Sequence, residues 1–174
     1  MIVRNTRFAV LAVVCMAGPS DGADTALNLF TKNPAGDLIL VVSDQPDDLQ
    51  QYAATELVRH VEKTTGLKPR LVKAAAIQAD RLPVDSNVIV LGQTDDNPWL
   101  KGLAHEGFFK PNANEQGYSL RIDVKPHDAQ GKRWVVALAG ADPRGVLYGV
   151  RDFCHFHFYK DADGVMLRRG RVST

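Results

Sequence analysis

Trp134-Val-Val-Ala-Leu-Ala-Gly-Ala-Asp-Pro-Arg-Gly-Val-Leu-Tyr-Gly-Val-Arg-Asp-Phe-Cys-His-Phe-His-Phe158 is the stretch whose reading decides the fold. Trp134 to Ala139 is a short apolar run rich in β-formers, and Gly140 ends it, so a buried strand is expected there. Asp142 stands where a helix N-cap belongs. Pro143 falls at the first helical position, where its missing N–H costs nothing. Behind the cap, Val146, Leu147, Val150, Phe153, Cys154 and Phe158 recur at helical spacing and make one apolar face. Gly145 and Gly149, one turn apart, each cost about 1 kcal/mol against alanine inside a helix. A helix that keeps both is expected to bring its backbone close to the sheet. Arg144 is a cation in the first turn, where it opposes the helix dipole. It reads either as a solvated arginine or as one held by an acidic partner on the sheet or on a neighbouring domain, and Tyr148, one turn later, is expected to share its surface.

Upstream, the same grammar repeats. Asp37 to Ser43 reads as a buried strand, and Asp44-Gln-Pro-Asp-Asp48 supplies helix-start chemistry. The helix is expected to run to Thr65 with Gly66 as its stop. Its inner face would carry Leu49, Tyr52, Ala53, Leu57, Val61 and Thr64. Pro69 to Lys73 reads as a short strand, and Ala74 to Ser86 as a loop with room for one helical turn. Asn87 to Leu91 is a further buried strand ending at Gly92, and Thr94 or Asp95 is expected to cap a short helix through Leu103. Gly117 to Val124 alternates apolar and polar, the pattern of a strand with one wet face. Lys125 to Lys132 reads as a hairpin-like loop. Leu27 to Phe30 and Val165 to Leu167 are candidate short strands, with a turn at 33–36. The expected architecture is α/β (α+β): a two-layer sandwich with one mixed sheet of about five strands and two main helices packed on it.

Length and composition set bounds. The chain has 174 residues, 45% hydrophobic and 24% charged, ordinary for one globular domain. Arg4 and Arg7 precede the apolar run from Phe8 to Ala17, and small or turn-forming residues follow through Ala23. This is the layout of a secretory signal peptide over residues 1–23, with cleavage after Gly22 or Ala23 and a secreted or periplasmic destination. The apolar run is too short to span a bilayer, so no membrane association is expected once the signal is removed. Cleavage would leave 19 basic residues (21 less Arg4 and Arg7) and 19 acidic ones (20 less Asp21). With no basic stripe, nucleic acid is not an expected partner. Cys154 would be the single cysteine of the mature chain, excluding an internal disulfide, and its place on the apolar helix face reads as a small buried hydrophobe.

Several catalytic patterns fail on inspection. Gly140 and Gly145 have the glycine spacing of a phosphate loop, but Val146 and Leu147 stand where Lys and Ser or Thr belong. His105-Glu106 opens like a zinc-protease helix, but Phe109 occupies the second ligand position. His155 and His157 lie about 200° apart on a helix and cannot chelate one metal there. Asp95-Asp96 and Asp161/Asp163 are the candidate carboxylate pairs for glycoside hydrolysis, and both sit in turn-like contexts that read as solvated caps. No catalytic residue, metal or cofactor is therefore assigned.

Three stretches together resemble one family. Gly140 to Phe153 is similar to "GADxRGxLYGVYDFLE", Tyr52 to Gly66 to "AAxELxxYLxKxTG", and Val88 to Gly92 to "I-x-LG". These are motifs of the non-catalytic domain that precedes the barrel in bacterial α-glucuronidases and β-hexosaminidases. They occur in the family's order and cover roughly Leu38 to Phe158. The resemblance implies a glycoside-hydrolase-associated N-terminal α/β domain over 24–174, concerned with carbohydrate degradation, whose catalytic barrel is a separate unit. A barrel needs about 250 residues, and 16 follow Phe158, so the expectation is an accessory domain standing alone or truncated. Its partner would be that barrel, joined in cis in relatives, and Arg144 with Tyr148 is the candidate interface. The alternative is a free-standing carbohydrate-binding or adaptor module, with carbohydrate as the partner. Mass spectrometry of exported protein should find the mature chain starting at Ala23 or Asp24; soluble cytoplasmic protein retaining Met1 would refute the signal.

Overall fold

A computed structural model describes residues 27–28, 38–77, 86–127, 131–161, 164–167 and 170–173. The expected signal peptide, the turn at 33–36 and Asp163 lie outside these residues. In chain order the elements are β1 (Leu27–Asn28), β2 (Leu38–Val42), α1 (Asp48–Thr65), β3 (Arg70–Lys73), β4 (Asn87–Gln93), α2 (Pro98–His105), β5 (Tyr118–His127), β6 (Gly131–Gly140), α3 (Pro143–Asp152), β7 (Phe158–Asp161), β8 (Gly164–Leu167) and β9 (Gly170–Ser173). A 3-10 turn, Ala74–Ala76, follows β3, and a π-helical turn, Phe153–His157, follows α3.

The expected mixed sheet is present and carries six strands in the order β3-β2-β4-β6-β5-β9. β3, β2, β4 and β6 run parallel, while β5 pairs antiparallel with β6 and with β9. β7 and β8 form a hairpin that pairs with β1 in a separate three-stranded sheet. Both faces of the main sheet are covered. On one, α1 and α3 seal a core of Leu40, Leu57, Ile89, Leu138, Val146, Val150 and Phe153. On the other, Leu100 and Leu103 of α2 pack with Phe109 over Ile39, Val41, Val90 and Ala137. Burial on both faces explains why β2 and β4 read as continuous apolar runs and not as alternating ones.

The caps agree with the residues that announced them. Asp47 accepts the Gln50 N–H at 2.8 Å to start α1, and Gly66, at φ 76°, closes it by donating to the Glu62 carbonyl. Asp142 accepts the Gly145 N–H at 2.8 Å at the head of α3.

Five expectations change. The loop expected from Lys125 to Lys132 is mostly strand, because β5 runs on to His127 and β6 starts at Gly131, the two pairing along this stretch. The cap of α2 is Asn97 and not Thr94 or Asp95, because Asn97 is fully buried and also donates to the Leu91 carbonyl, tying the helix to β4. Tyr52 is 54% exposed, and Gln50 and Ala54 take its place on the inner face of α1. α3 gives way to the π-turn at Phe153, and Phe158 already belongs to β7, where its ring stacks on Phe153 at 5.7 Å. The face of β5 expected to be wet is largely covered through Asp123: Ser119 and Asp123 are buried, Ser119 donating to the Lys110 carbonyl and Asp123 pairing with the partly exposed Arg121.

The two glycines of α3 do bring its backbone onto the sheet. A Cβ at Gly145 would overlap the Gly117 carbonyl, and one at Gly149 would lie 3.2 Å from the Tyr118 ring. This sets up a test of sign. Were α3 free of the sheet, Gly145→Ala would stabilise by about 1 kcal/mol through helix propensity. The contact instead predicts a loss of about 1–3 kcal/mol from overpacking, read by urea denaturation. Phe153→Ala, at a fully buried site, should cost about 3–5 kcal/mol in the same assay.

Candidate functional site

α3 sorts its residues by side. Gly145, Val146, Gly149 and Val150 are buried, while Arg144, Tyr148 and Arg151 are exposed. The exposed three stand at i, i+4 and i+7, a single stripe along the helix. His155, also exposed, continues it into the π-turn, where its ring meets Phe156 edge-on at 4.7 Å; Phe156 itself is 58% exposed. The result is a cationic and aromatic ridge on the outer surface of the helical layer. α1 packs beside α3 in that layer and contributes exposed Tyr52. Sequence spacing had put Arg144 and Tyr148 on one surface, and the structure adds Arg151 and His155. Arg151 lies within the Gly140 to Phe153 stretch and His155 just beyond it, and the helical period is what brings them into line.

Arg144 has a carboxylate within its field, and it is the N-cap itself. The Gly145 N–H holds Asp142 below the ordinary carboxylate range, against a burial that would raise it. The N–H groups of Gln116 and Arg144 and the Arg144 charge add to the lowering. Asp142 therefore has two tasks. One oxygen caps α3, and the other accepts the Gln116 N–H at 2.7 Å, clamping the loop that enters β5. Gln116 has φ 59°, the left-handed region that side chains seldom adopt, and this bond fixes it there. The Ala141 N–H donates to the Gly117 carbonyl, so the clamp closes on both sides.

A second polar centre lies at the carboxyl ends of the parallel strands. β2 leads into α1 on one face, and β4 leads into α2 on the other. Such a divergence opens the crevice in which open α/β sheets hold their ligands. Here Asp96 occupies it. Its Oδ1 accepts the Ser43 hydroxyl at 2.6 Å and the Gln93 N–H at 3.1 Å, and its Oδ2 accepts the Gln50 amide at 2.8 Å. Gln50 also donates to Gln93 Oε1 at 2.7 Å. Gly92, at φ 145°, lets the strand end close over Ser43, where a Cβ would overlap the hydroxyl. Asp96 is exposed, in keeping with the solvated reading, but its network across β2, α1 and β4 left no local signal.

The remaining candidates are dispersed. Asp95 and Asp96 are both exposed, and among the described hydrogen bonds only Asp96 joins the network. His155 is exposed whereas His157 is buried. Cys154 packs against the core, and burial pushes its thiol up to about 12. Among the described residues no three His, Cys, Asp or Glu side chains gather as a metal site would require. No described helix is long and apolar enough to cross a membrane.

Comparison with known proteins gives a weak likeness of chain path. No family model matches the sequence, and no curated protein does. Among solved structures the chain is similar to a family 20 glycoside hydrolase, a β-N-acetylglucosaminidase, at 16% identity and TM-score 0.39, covering 77% of this chain and 17% of that one. It is also similar to a GH115 4-O-methyl-α-glucuronidase with specificity for decorated arabinogalactans, at 16% identity and TM-score 0.41, covering 68% and 13%. A GH138 enzyme targeting pectin rhamnogalacturonan II aligns at 13% identity and TM-score 0.37, again covering 68% and 13%. The chain thus spans less than a fifth of the length of each.

The Asp142 clamp predicts a pH signature. A carboxylate with a lowered folded pKa contributes stability that is complete at neutral pH and lost as pH falls below the ordinary carboxylate range. Asp142→Asn keeps one oxygen to cap α3 but sets an amide donor against the Gln116 N–H, so it should cost about 1 kcal/mol at pH 7. The gap to the parent protein should narrow as pH drops towards 3, followed by denaturant titration at each pH.

Proposed function

We propose that this chain is a non-catalytic accessory domain of a secreted glycoside hydrolase, acting in carbohydrate degradation by docking a catalytic barrel against α3. The observation that carries the reading is the division of labour within Gly140 to Phe153. The glycines, the cap and the apolar residues of that motif are consumed in seating α3 on β5 and β6. Arg144 and Tyr148, from the same motif, face outward with Arg151 beside them. Their position supports an interface reading, because an exposed tyrosine between two arginines is the residue mix that protein interfaces favour. The family resemblance of the motif supports the identity of the partner.

Two measurements test this. The isolated chain should turn over neither aryl β-N-acetylglucosaminides nor glucuronic-acid-capped xylooligosaccharides. Activity that survives purification and disappears on mutating one acidic residue would overturn the accessory role. Arg144→Ala should leave the melting temperature of the isolated chain nearly unchanged and weaken its association with a barrel supplied in trans. A large loss of stability would make Arg144 a structural residue and remove the interface.

A further inference from the structure

We propose that the free edge of β3, with the groove between it and α1, binds an extended acidic peptide strand from a protein partner. This site is separate from the α3 ridge and does not rest on the accessory-domain reading.

Three observations converge. β3 is the outermost strand of the main sheet, and among the described residues β2 alone pairs with it. Its other side, unpaired among the described residues, offers backbone donors and acceptors, the template for strand addition. A groove of about 460 Å³ runs alongside, with Val42, Pro46, Ala54 and Leu71 as its apolar surface and Asp44, Gln51, Thr55 and Lys73 among its polar walls. Leu71 is 50% exposed there. Side chains alternate along a strand, so Leu71 and Lys73 face the groove while Val72 packs into the opposite core. An incoming strand would place one side chain in every two over the groove. The seat over Leu71 and Ala54 suits a small apolar residue such as valine.

Charge selects the partner. Lys68, Arg70 and Lys73 are all exposed on or beside this edge, against the one carboxylate of the groove wall, Asp44, which the Ala75 N–H engages at 2.7 Å. Lys73 also donates to the Asp44 carbonyl at 2.8 Å, which anchors its ammonium at the groove's end. A second copy pairing β3 to β3 would set these cations against one another, and like charges opposed across strands are destabilising. The same charges favour glutamate or aspartate flanking the apolar residue. Among the described residues no aromatic ring lines the groove to offer a sugar ring a stacking face.

The test uses the full chain and a capped hexapeptide alternating Glu and Val, with the Lys–Val hexapeptide and an oligogalacturonate as comparisons. Backbone amide exchange and chemical shifts would be read by NMR. The Glu–Val peptide should slow exchange at Leu71 to Lys73 and shift Gln51 and Thr55. Its affinity should fall as salt rises from about 0.05 to about 0.5 M, since the contacts are exposed. Arg70→Glu with Lys73→Glu should weaken it by about tenfold or more and transfer preference to the Lys–Val peptide. Leu71→Asp, also at an exposed position, should abolish binding while leaving the melting temperature in place. The proposal fails if the Glu–Val peptide does not bind, if the two peptides bind alike, or if β3 amides stay unprotected. It fails equally if the oligogalacturonate perturbs the same amides as strongly, because a strand would then not be the occupant.

Discussion

The backbone of α3 lies on the Gly117 carbonyl with no side chain between them, and much of the molecule is arranged to keep it there. Gly145 permits the approach, and Gly149 extends it over the Tyr118 ring. Asp142 then holds both parties, capping the helix with one oxygen and gripping the Gln116 N–H with the other. Tyr118 completes the join from below by donating its hydroxyl to Asp152 at the far end of α3. A helix seated this tightly buries Val146, Val150 and Phe153 against β4, β5 and β6. The apolar area removed from water outweighs the propensity lost at two glycines.

This seating determines what the outer surface looks like. With one side of α3 committed to the sheet, the helical period leaves Arg144, Tyr148 and Arg151 on the other. The dipole penalty on Arg144 is eased by the very carboxylate that starts the helix, so a first-turn cation and a strong cap coexist. The ridge is thus a by-product of packing in its geometry, though its residue types are not dictated by packing.

The carboxyl ends of the parallel strands show a different use of the same fold. α1 and α2 leave on opposite faces, as in ligand-binding α/β sheets, and between them exposed Asp96 is hydrogen-bonded to Ser43 and Gln50, with Gln93 alongside. A carboxylate of the chain stands where such folds place an anionic ligand. Gln50 is nearly buried and its Oε1 has no hydrogen-bond partner there. The network therefore joins three elements at some cost in polar satisfaction.

Sequence by itself determined the local grammar. The Asp142-Pro143 start, the Gly66 stop, the apolar runs of β2, β4 and β6 and the inward face of α3 each follow from backbone chemistry acting over a few residues. Arg144 and Tyr148 were legible as one surface for the same reason. Tertiary structure alone decided what depends on partners far along the chain. Asn97 outranks Thr94 and Asp95 as a cap because the Leu91 carbonyl needs its amide. Tyr52 turns outward although it falls within the helical pattern, and Asp96 becomes a network centre through Ser43, 53 residues away. β9 joins the sheet because the outer edge of β5 accepts it, a pairing that period and propensity do not encode. Hydrophobic period fixes which way a residue faces along its own element. Which neighbour it meets there is settled only when the whole sheet has closed.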